Sequence, residues 1–274
     1  MRGLAQDFAF FLLFWLLAGP PAAAMGLIAR CLPLPAWAHL GLAPVYVLGY
    51  IVMLIGMAGF VRSLIPRLVP GTYPFPVHPQ STAWLLHFAL QRIMNLPVWS
   101  RLVFAFATLR WLWFRAMGAR AAYDMQSAVD VVVTDPSLLR VGRGSMLAAG
   151  AFFTGHFIEN GQLLLDTVEI GEGAQVHGQV TLAPGVRVGD GAVIGPGCKL
   201  LPGAAVGADS HLGLGCLLQG GTKVGDNVVL GHQVVLEAGV TVGDGAVVRS
   251  GARVPKGAAI APGERFPPRP GSEP

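Results

Sequence analysis

Aliphatic residues recur at every sixth position along the second half of the chain. Counting in steps of six from Ile170 to Ile260, all sixteen positions are Ile, Leu or Val. Glycine often follows the aliphatic residue, and a small or β-branched residue such as Ala174 or Cys198 stands two positions before the next one. A period of six fits neither the 3.6-residue repeat of an α-helix nor the two-residue alternation of a long strand. The pattern therefore predicts short flat sides joined by tight corners.

Three such sides close a triangular coil of eighteen residues, with the aliphatic residues inside and the glycines at the corners. This is the pattern of a left-handed parallel β-helix, and we predict an all-β solenoid of this kind over residues 121–265. The hexads that keep step with Ile170 make a little over five coils. Upstream, Phe153 keeps the same spacing with Val141 and Leu147, but seventeen residues separate it from Ile170. We therefore expect a loop around "GHFIENGQ" that interrupts the solenoid and presents His156.

Residues 1–120 have the composition of a membrane region. No charge occurs from Phe8 to Ala29, and a second uncharged run extends over about 38–61. Each run is long enough for a hydrocarbon core that needs about twenty residues. We predict two transmembrane helices over about 8–29 and 38–61, the first bent at Pro20 and Pro21. A cleaved signal peptide is the alternative for the first run.

Residues 81–118 resemble neither a membrane span nor a soluble helix. Three of its arginines interrupt the segment too often for a third crossing, and its four tryptophans favour the headgroup level of a bilayer. These residues are Arg92, Arg101, Arg110, Trp84, Trp99, Trp111 and Trp113. We predict interfacial helices over about 81–118. At the other end of the chain, residues 266–274 are predicted to be a disordered tail.

The charge of the chain is unevenly distributed. Residues 1–120 carry nine arginines against Asp7, whereas residues 121–274 carry ten basic and fourteen acidic groups, which together give the net charge of +4. This asymmetry predicts a domain boundary near residue 120. Arginines concentrated after the second span place the β-helix on the cytoplasmic side of a bacterial-type inner membrane. The basic residues lie among apolar runs rather than on a soluble face, so we expect no nucleic-acid partner.

The cysteines and histidines are the candidate chemical groups of the solenoid. Cys198 and Cys216 are eighteen residues apart, so they stack in adjacent coils at inward-facing positions. We interpret them as small core residues, with a metal site or a disulfide as the alternative. The bore is aliphatic, so chemistry must come from outward-facing or loop residues. Among the histidines, His156 is the best placed.

The stretch "TGHFIENGQLLLDTVEIGEGAQVHGQVTLAPGVRVGDGAVIGPGCKL" resembles the hexapeptide-repeat O-acetyltransferases of the galactoside and nodulation type. In that family a catalytic histidine follows a Thr-Gly pair in a loop. The wider stretch from "RAMGARAAYDM" through "FFTGHFIENG" is similar to the membrane-anchored acyltransferase-like domain of poly-lysine-synthetase-type nonribosomal enzymes. The resemblance covers roughly residues 70–265.

The resemblance implies acyl transfer from acetyl-CoA, with His156 as the general base and direct attack on the thioester. A backbone N–H of a neighbouring coil would stabilise the oxyanion. Glu159 and Asp135, and after them Asp166, are the candidates to orient the imidazole. Gly197, Cys198 and Lys199 match a stretch that contacts the cofactor in the family. The family's cleft lies between subunits, which implies a homotrimer.

Two other classes of function stay open at this point. The stretch containing His232 is similar to part of the γ-class carbonic anhydrases, in which three histidines hold zinc between subunits; here Glu237 replaces one of those ligands. A non-catalytic, membrane-tethered solenoid scaffold is the other alternative. For the enzyme, membrane anchoring favours a hydroxyl or amine of an envelope glycan or a lipid-linked glycan as acceptor, with a small soluble molecule also possible.

Overall fold

The computed structural model describes residues 2–267, with side chains from residue 10 onward. The α-helices and one short strand occupy the part of the chain before residue 117, and the remaining strands occupy the part after residue 119. The α-helices are α1 (Arg2–Cys31), α2 (Ala36–Gly41), α3 (Ala43–Leu64), α4 (Pro79–Met94), α5 (Pro97–Ala105) and α6 (Ala107–Ala116).

Two of these helices are long and apolar enough to cross a membrane. The candidate spans are Phe10–Cys31 in α1 and Ala43–Leu64, the whole of α3, each of 22 residues. Helix α1 continues through Pro20 and Pro21 rather than ending there. The two helices contact each other, and the short α2 lies in the connection between them. The sequence-predicted spans thus correspond to observed apolar helices.

Helices α4, α5 and α6 pack against protein to a greater extent than the sequence suggested. Trp84, Trp99 and Trp113 are all buried, and Trp113 is completely inaccessible. These three side chains are therefore covered by other residues of the protein rather than by lipid. The location of α4, α5 and α6 at the headgroup level stays a prediction. Trp111 remains partly exposed and stacks with the guanidinium of Arg115.

The rest of the chain is a left-handed parallel β-helix of about eight coils with three flat faces. The strands of the first face are β2 (Arg120–Ala121), β5 (Leu139–Val141), β10 (Val168–Ile170), β13 (Arg187–Val188), β16 (Ala205–Val206), β19 (Lys223–Val224), β22 (Thr241–Val242) and β25 (Ala259–Ile260). Those of the second face are β3 (Gln126–Ser127), β6 (Met146–Leu147), β11 (Gln175–Val176), β14 (Val193–Ile194), β17 (His211–Leu212), β20 (Val229–Leu230), β23 (Val247–Val248) and β26 (Arg265–Phe266). Those of the third face are β4 (Val132–Thr134), β7 (Phe152–Thr154), β12 (Thr181–Leu182), β15 (Lys199–Leu200), β18 (Leu217–Leu218), β21 (Val235–Leu236) and β24 (Arg253–Val254).

The predicted five coils counted only the hexads that keep step with Ile170. The upstream coils belong to the same solenoid, because β2, β3 and β4 pair in parallel with β5, β6 and β7. The aliphatic positions of the repeat are buried in the bore from end to end. Phe266, assigned to the tail from the sequence, lies in the last strand, while residues 268–274 of that predicted tail lie outside the described residues.

The spacing between stacked coils changes near the N-terminal end of the solenoid. Val188 pairs with Val206, eighteen residues on, and this step holds through the later coils. By contrast, Ala121 pairs with Val141, twenty residues on, and Val141 pairs with Ile170, twenty-nine residues on. The first coil therefore holds an insertion of two residues, and the second holds one of eleven.

The longer insertion is a β-hairpin rather than the predicted loop. Its strands are β8 (His156–Glu159) and β9 (Gln162–Leu165), joined by Asn160 and Gly161. Both turn residues have positive φ, 49° and 72°, which is the two-residue turn that an Asn-Gly pair favours. Strand β1 (Gly71–Pro74), from the connection between α3 and α4, pairs antiparallel with the outer edge of β9. The hairpin is thereby tied to the helical region.

Candidate functional site

The two insertions occur at the same corner of the solenoid in consecutive coils. Thr134 at the end of β4 pairs with Thr154 at the end of β7, so Asp135 lies directly beside Gly155 in the stack. Asp135 adopts a left-handed conformation, with φ 60°, at the start of a short 3₁₀ turn over Pro136–Leu138. The insertions that follow β4 and β7 therefore begin side by side at this corner.

Asp135 and His156 form a hydrogen-bonded pair at this corner. Oδ2 of Asp135 lies 2.5 Å from Nδ1 of His156, and it also accepts the backbone N–H of Gly155 at 3.2 Å. Its Oδ1 accepts the indole N–H of Trp84 at 2.9 Å. The backbone N–H of Asp135 donates to Oε1 of Gln91 at 2.6 Å. The carboxylate side chain is fully buried, whereas the His156 side chain is 20% exposed.

The imidazole of His156 lies among aromatic rings contributed by α4. Its centroid is 4.6 Å from the Trp84 ring and 6.2 Å from the Phe88 ring. The hydroxyl of Thr154 approaches Nδ1 at 3.2 Å, on the same side of the imidazole as Asp135. When Nδ1–H donates to the carboxylate, Nε2 keeps the lone pair that can accept a proton. This arrangement is suited to a general base whose orientation is fixed by a buried carboxylate.

In the described structure, neither of the other two carboxylates considered from the sequence is hydrogen-bonded to the imidazole. Glu159 is exposed at the tip end of β8, and side chains three positions apart in a strand point to opposite faces, so it faces away from His156. Asp166 bonds the backbone N–H of Thr167 at 2.7 Å through its Oδ1. The structure therefore brings Asp135 to the imidazole and brings neither Glu159 nor Asp166 to it.

The candidate cofactor-binding residues lie on the third face, the one that also carries β7. Lys199 pairs with Thr181, which pairs with Phe152, so Lys199 is two coils along from the strand that leads to His156. Its side chain is exposed. Gly197 has φ 71°, and a Cβ at this position would meet nothing nearer than the Cα of Gly215 at 4.0 Å. The surface of this face is therefore open at Gly197.

Cys198 differs from its two neighbours because its side chain points into the bore. It is completely buried, and its thiol donates to the carbonyl of Gly213 at 3.0 Å. A hydrogen bond with Cys216 and burial both raise the pKa of Cys198. A protonated, inaccessible thiol is inert, so only the backbone of Cys198 is available to a ligand outside the solenoid.

His232 has a structural role in the turns of the solenoid. Its Nδ1 accepts the backbone N–H of Leu214 at 3.0 Å, and its own backbone N–H donates to the hydroxyl of Ser250. Across the part of the chain that the structure describes, no group of three or more His, Cys, Asp or Glu side chains is arranged to hold a metal ion.

Three residues of this site were missed from the sequence: Trp84, Phe88 and Gln91. They stand at positions i, i+4 and i+7 of α4, the spacing that places side chains on one face of a helix. That spacing was a usable signal for a common face, although nothing in it indicated what the face covers. A second signal was the eight-residue step from Val133 to Val141 in a chain that otherwise steps by six.

Comparison with known families agrees with the solenoid. A profile described as bacterial transferase hexapeptide (six repeats) matches residues 167–201 and 221–256. These two segments of the β-helix thus match bacterial transferase hexapeptide repeats. A second profile, the hexapeptide repeat of succinyl-transferase, matches residues 203–238. The hexapeptide matches begin downstream of Asp135 and His156, so they cover the regular coils and not the corner that carries the pair.

Solved structures similar to this hexapeptide-repeat chain include acyltransferases. The UDP-N-acetylglucosamine acyltransferase of Francisella novicida aligns with 15% identity and a TM-score of 0.39, over 52% of this chain and 56% of that one. The UDP-N-acetylglucosamine O-acyltransferase of Moraxella catarrhalis aligns with 13% identity and a TM-score of 0.35, over 50% and 65%. The chain thus spans less than two thirds of either protein.

A third similar structure is PerB of Caulobacter crescentus in complex with CoA and GDP-perosamine. It aligns with 15% identity and a TM-score of 0.31, over 60% of this chain and 70% of that one. At such identities the likeness concerns the solenoid fold. No curated protein matched the sequence of this chain.

Proposed function

We propose that this hexapeptide-repeat chain is a membrane-anchored acyltransferase in which His156 is the general base and Asp135 orients it. The observation that carries the proposal is the 2.5 Å contact between Nδ1 of His156 and Oδ2 of a fully buried carboxylate. Two further N–H donors, from Trp84 and Gly155, fix that carboxylate in place. Because the imidazole and the carboxylate are already oriented, the proton transfer carries no free-energy cost for reorienting them.

In the proposed reaction, bound acyl-CoA, and acetyl-CoA in particular, supplies the thioester. Nε2 of His156 takes the proton from the acceptor hydroxyl or amine as the acceptor atom bonds to the acyl carbon. Nε2 then returns the proton to the thiolate when the carbon–sulfur bond breaks. The third face fits a donor, since Lys199 offers a cation for phosphate oxygens and Gly197 leaves the surface open.

The proposed acceptor is a hydroxyl or amine of an envelope glycan, lipid-linked or small. The support for a membrane substrate is the position of the pair, at the end of the solenoid against which α4 packs. Helices α1 and α3 would anchor the protein in a bacterial inner membrane with the β-helix on the cytoplasmic side. A homotrimer, in which a neighbouring subunit completes the cleft, belongs to the same proposal.

The test is thiol release from acetyl-CoA by the detergent-solubilised protein, offered a panel of sugars and amines. We expect His156→Ala to lower the rate by about 100-fold or more, the range attributed to loss of a general base. His211→Ala is the matched control, because His211 is exposed on the second face of the solenoid.

Equal rates for the wild type and His156→Ala would contradict the proposed role of His156. Turnover with longer acyl-CoA donors alone would keep the mechanism and correct the acyl group. No turnover with any donor, together with no binding of CoA, would favour the scaffold interpretation.

A further inference from the structure

A cavity of about 530 Å³ lies between the helical region and the first two coils of the solenoid. Five arginines line it, and they come from five separate places in the chain: the last turn of α3, the connection after α3, the last turn of α6, β2 and β5. They are Arg62, Arg67, Arg115, Arg120 and Arg140. No carboxylate is among the residues that form its wall in the described structure.

The positive charge of this arginine pocket is largely uncompensated. Arg120 and Arg140 stand side by side on paired strands. Glu169 bonds Arg140 at 2.8 Å, but Glu169 is shared with Arg187 at 3.6 Å. For the other four arginines of the pocket, no carboxylate lies within salt-bridge distance in the part of the chain that is described. Bringing several guanidinium groups together in this way is unfavourable unless an anion joins them.

Two buried polar atoms at the pocket also lack a hydrogen-bond partner among the described residues. They are Nε of Arg62 and the hydroxyl of Ser137. Gly118 brings the two together: a Cβ at this position would lie 2.7 Å from Nη1 of Arg62 and 3.2 Å from Cβ of Ser137. A buried donor without an acceptor costs about 1–3 kcal/mol, which an acceptor-rich ligand would recover.

From these features we propose that the arginine pocket binds a phosphate or diphosphate group. Guanidinium groups donate paired N–H bonds to phosphate oxygens, and the Ser137 hydroxyl adds a further donor. Arg62 lies in the last turn of a candidate membrane helix and Arg67 shortly after it, which is the depth of lipid headgroups. The phosphate therefore belongs to a membrane lipid or to a soluble compound that carries the same group. This inference rests on the pocket and not on acyl transfer.

Helix α4 connects the arginine pocket with the Asp135–His156 pair. His87 lines the pocket, with Nε2 3.1 Å from the carbonyl of Pro66. Burial is the main cause that lowers the pKa of His87, so its imidazole is neutral at pH 7 and the arginines supply the charge. Trp84 and Gln91, one turn to either side on the same helix, hold Asp135. A ligand in the pocket would thus rest against the helix that supports the pair.

The experiment is equilibrium binding of inorganic pyrophosphate to the full-length protein in phosphatidylcholine nanodiscs at low ionic strength. We expect the double variant Arg67→Gln/Arg120→Gln to bind at least about tenfold more weakly than the wild type. Both side chains are exposed, so the fold should tolerate the changes.

Ser137→Ala, which leaves every charge in place, should weaken binding about three- to tenfold. The control Lys223→Gln/Arg265→Gln removes the same charge from exposed positions in later coils, and should bind within about twofold of the wild type.

Nanodiscs that contain phosphatidylglycerol distinguish the two sources. Weaker pyrophosphate binding to the wild type in these nanodiscs, with no such change in Arg67→Gln/Arg120→Gln, would identify a lipid headgroup as the occupant. Unchanged pyrophosphate binding would identify a soluble phosphate compound, and both results support the pocket. Failure of the wild type to bind pyrophosphate, or equal affinity in the wild type and Arg67→Gln/Arg120→Gln, would overturn the proposal. Because binding is measured without any acyl donor, a failed acyltransferase assay has no bearing on it.

Discussion

Asp135 is the residue on which the geometry of the candidate site depends. Its carboxylate is out of contact with water, and its two oxygens accept N–H groups from Trp84, Gly155 and His156. A carboxylate with these partners holds the imidazole in the tautomer whose proton is on Nδ1. In the proposed reaction this side chain is a positioning group for His156, and its loss should affect the reaction through the histidine.

Activity measurements on substituted proteins distinguish the role of Asp135 from that of the other carboxylates. Asp135→Asn keeps the shape but offers an amide N–H to Nδ1, which favours the wrong tautomer. We expect activity to fall by about 100- to 10,000-fold, measured as thiol release from acetyl-CoA. Glu159→Gln should have a far smaller effect, because Glu159 faces away from the imidazole. Asp124→Asn, in an exposed turn, is the control for loss of one carboxylate. A loss in Glu159→Gln as large as that in Asp135→Asn would contradict the assignment.

At the scale of elements, α4 and the hairpin form a unit that encloses the pair. Helix α4 covers His156 with Trp84 and Phe88, and β1 extends the hairpin by a third strand. These elements also bury a small apolar cluster that includes Leu68, Leu163 and Leu165. The hairpin thus emerges from the solenoid at its base and is paired along its β9 edge with a strand from the helical region.

Removal of the hydrogen-bond donor that α4 supplies to Asp135 should therefore lower both stability and activity. Trp84→Phe keeps an aromatic ring over His156 but removes the N–H that bonds Asp135. A hydrogen bond to a charged group contributes about 1.5–3 kcal/mol to stability, so we expect the melting temperature in detergent to fall by roughly 3–10 °C. Activity should fall with it. Trp37→Phe is the matched control, since Trp37 is 78% exposed in α2. Equal melting temperatures for the two variants would show that the indole N–H does not support the carboxylate.

At the scale of the whole molecule, the helical region and the β-helix share one hydrophobic core. A continuous cluster of buried residues extends from Leu17 in α1 to Ile260 in the last coils. The apolar faces of α1 and α3 that lie outside this cluster, with Trp15 and Phe60 among the exposed residues, are where lipid would contact the protein. With two spans, the solenoid and the short α2 should lie on opposite sides of the membrane.

Cysteine accessibility tests that topology. Ala36→Cys in α2 and Lys256→Cys in the late coils place thiols at exposed positions. In a Cys31→Ser background, where Cys198 and Cys216 stay buried, a membrane-impermeant maleimide added to spheroplasts should label position 36. Position 256 should be labelled only after the inner membrane is permeabilised. Labelling of both positions in intact spheroplasts would contradict a two-span anchor with a cytoplasmic β-helix.

The sequence by itself determined the repeat and the apolar helices. Each hexad places one aliphatic residue in the bore, so the information is local and recurs wherever the solenoid continues. A run of about twenty uncharged residues is likewise a local property. The same local pattern indicated His156 as a candidate, because an interruption of the period marks where the chain leaves the wall of the solenoid. The count of coils from the sequence was too low, because the two insertions shift the upstream hexads out of step with Ile170.

Only the tertiary structure decided which groups meet at the interruption. Asp135 and His156 are twenty-one residues apart, and Trp84 is fifty-one residues before Asp135, so no short-range pattern links them. They meet because insertions of two and eleven residues stand at one corner in adjacent coils, while β1 and α4 fold back onto that corner. The arginine pocket arises in the same way, from side chains that no period relates. Periodic burial is visible in the local sequence, whereas a site built from insertions depends on tertiary contacts between residues that are far apart in the sequence.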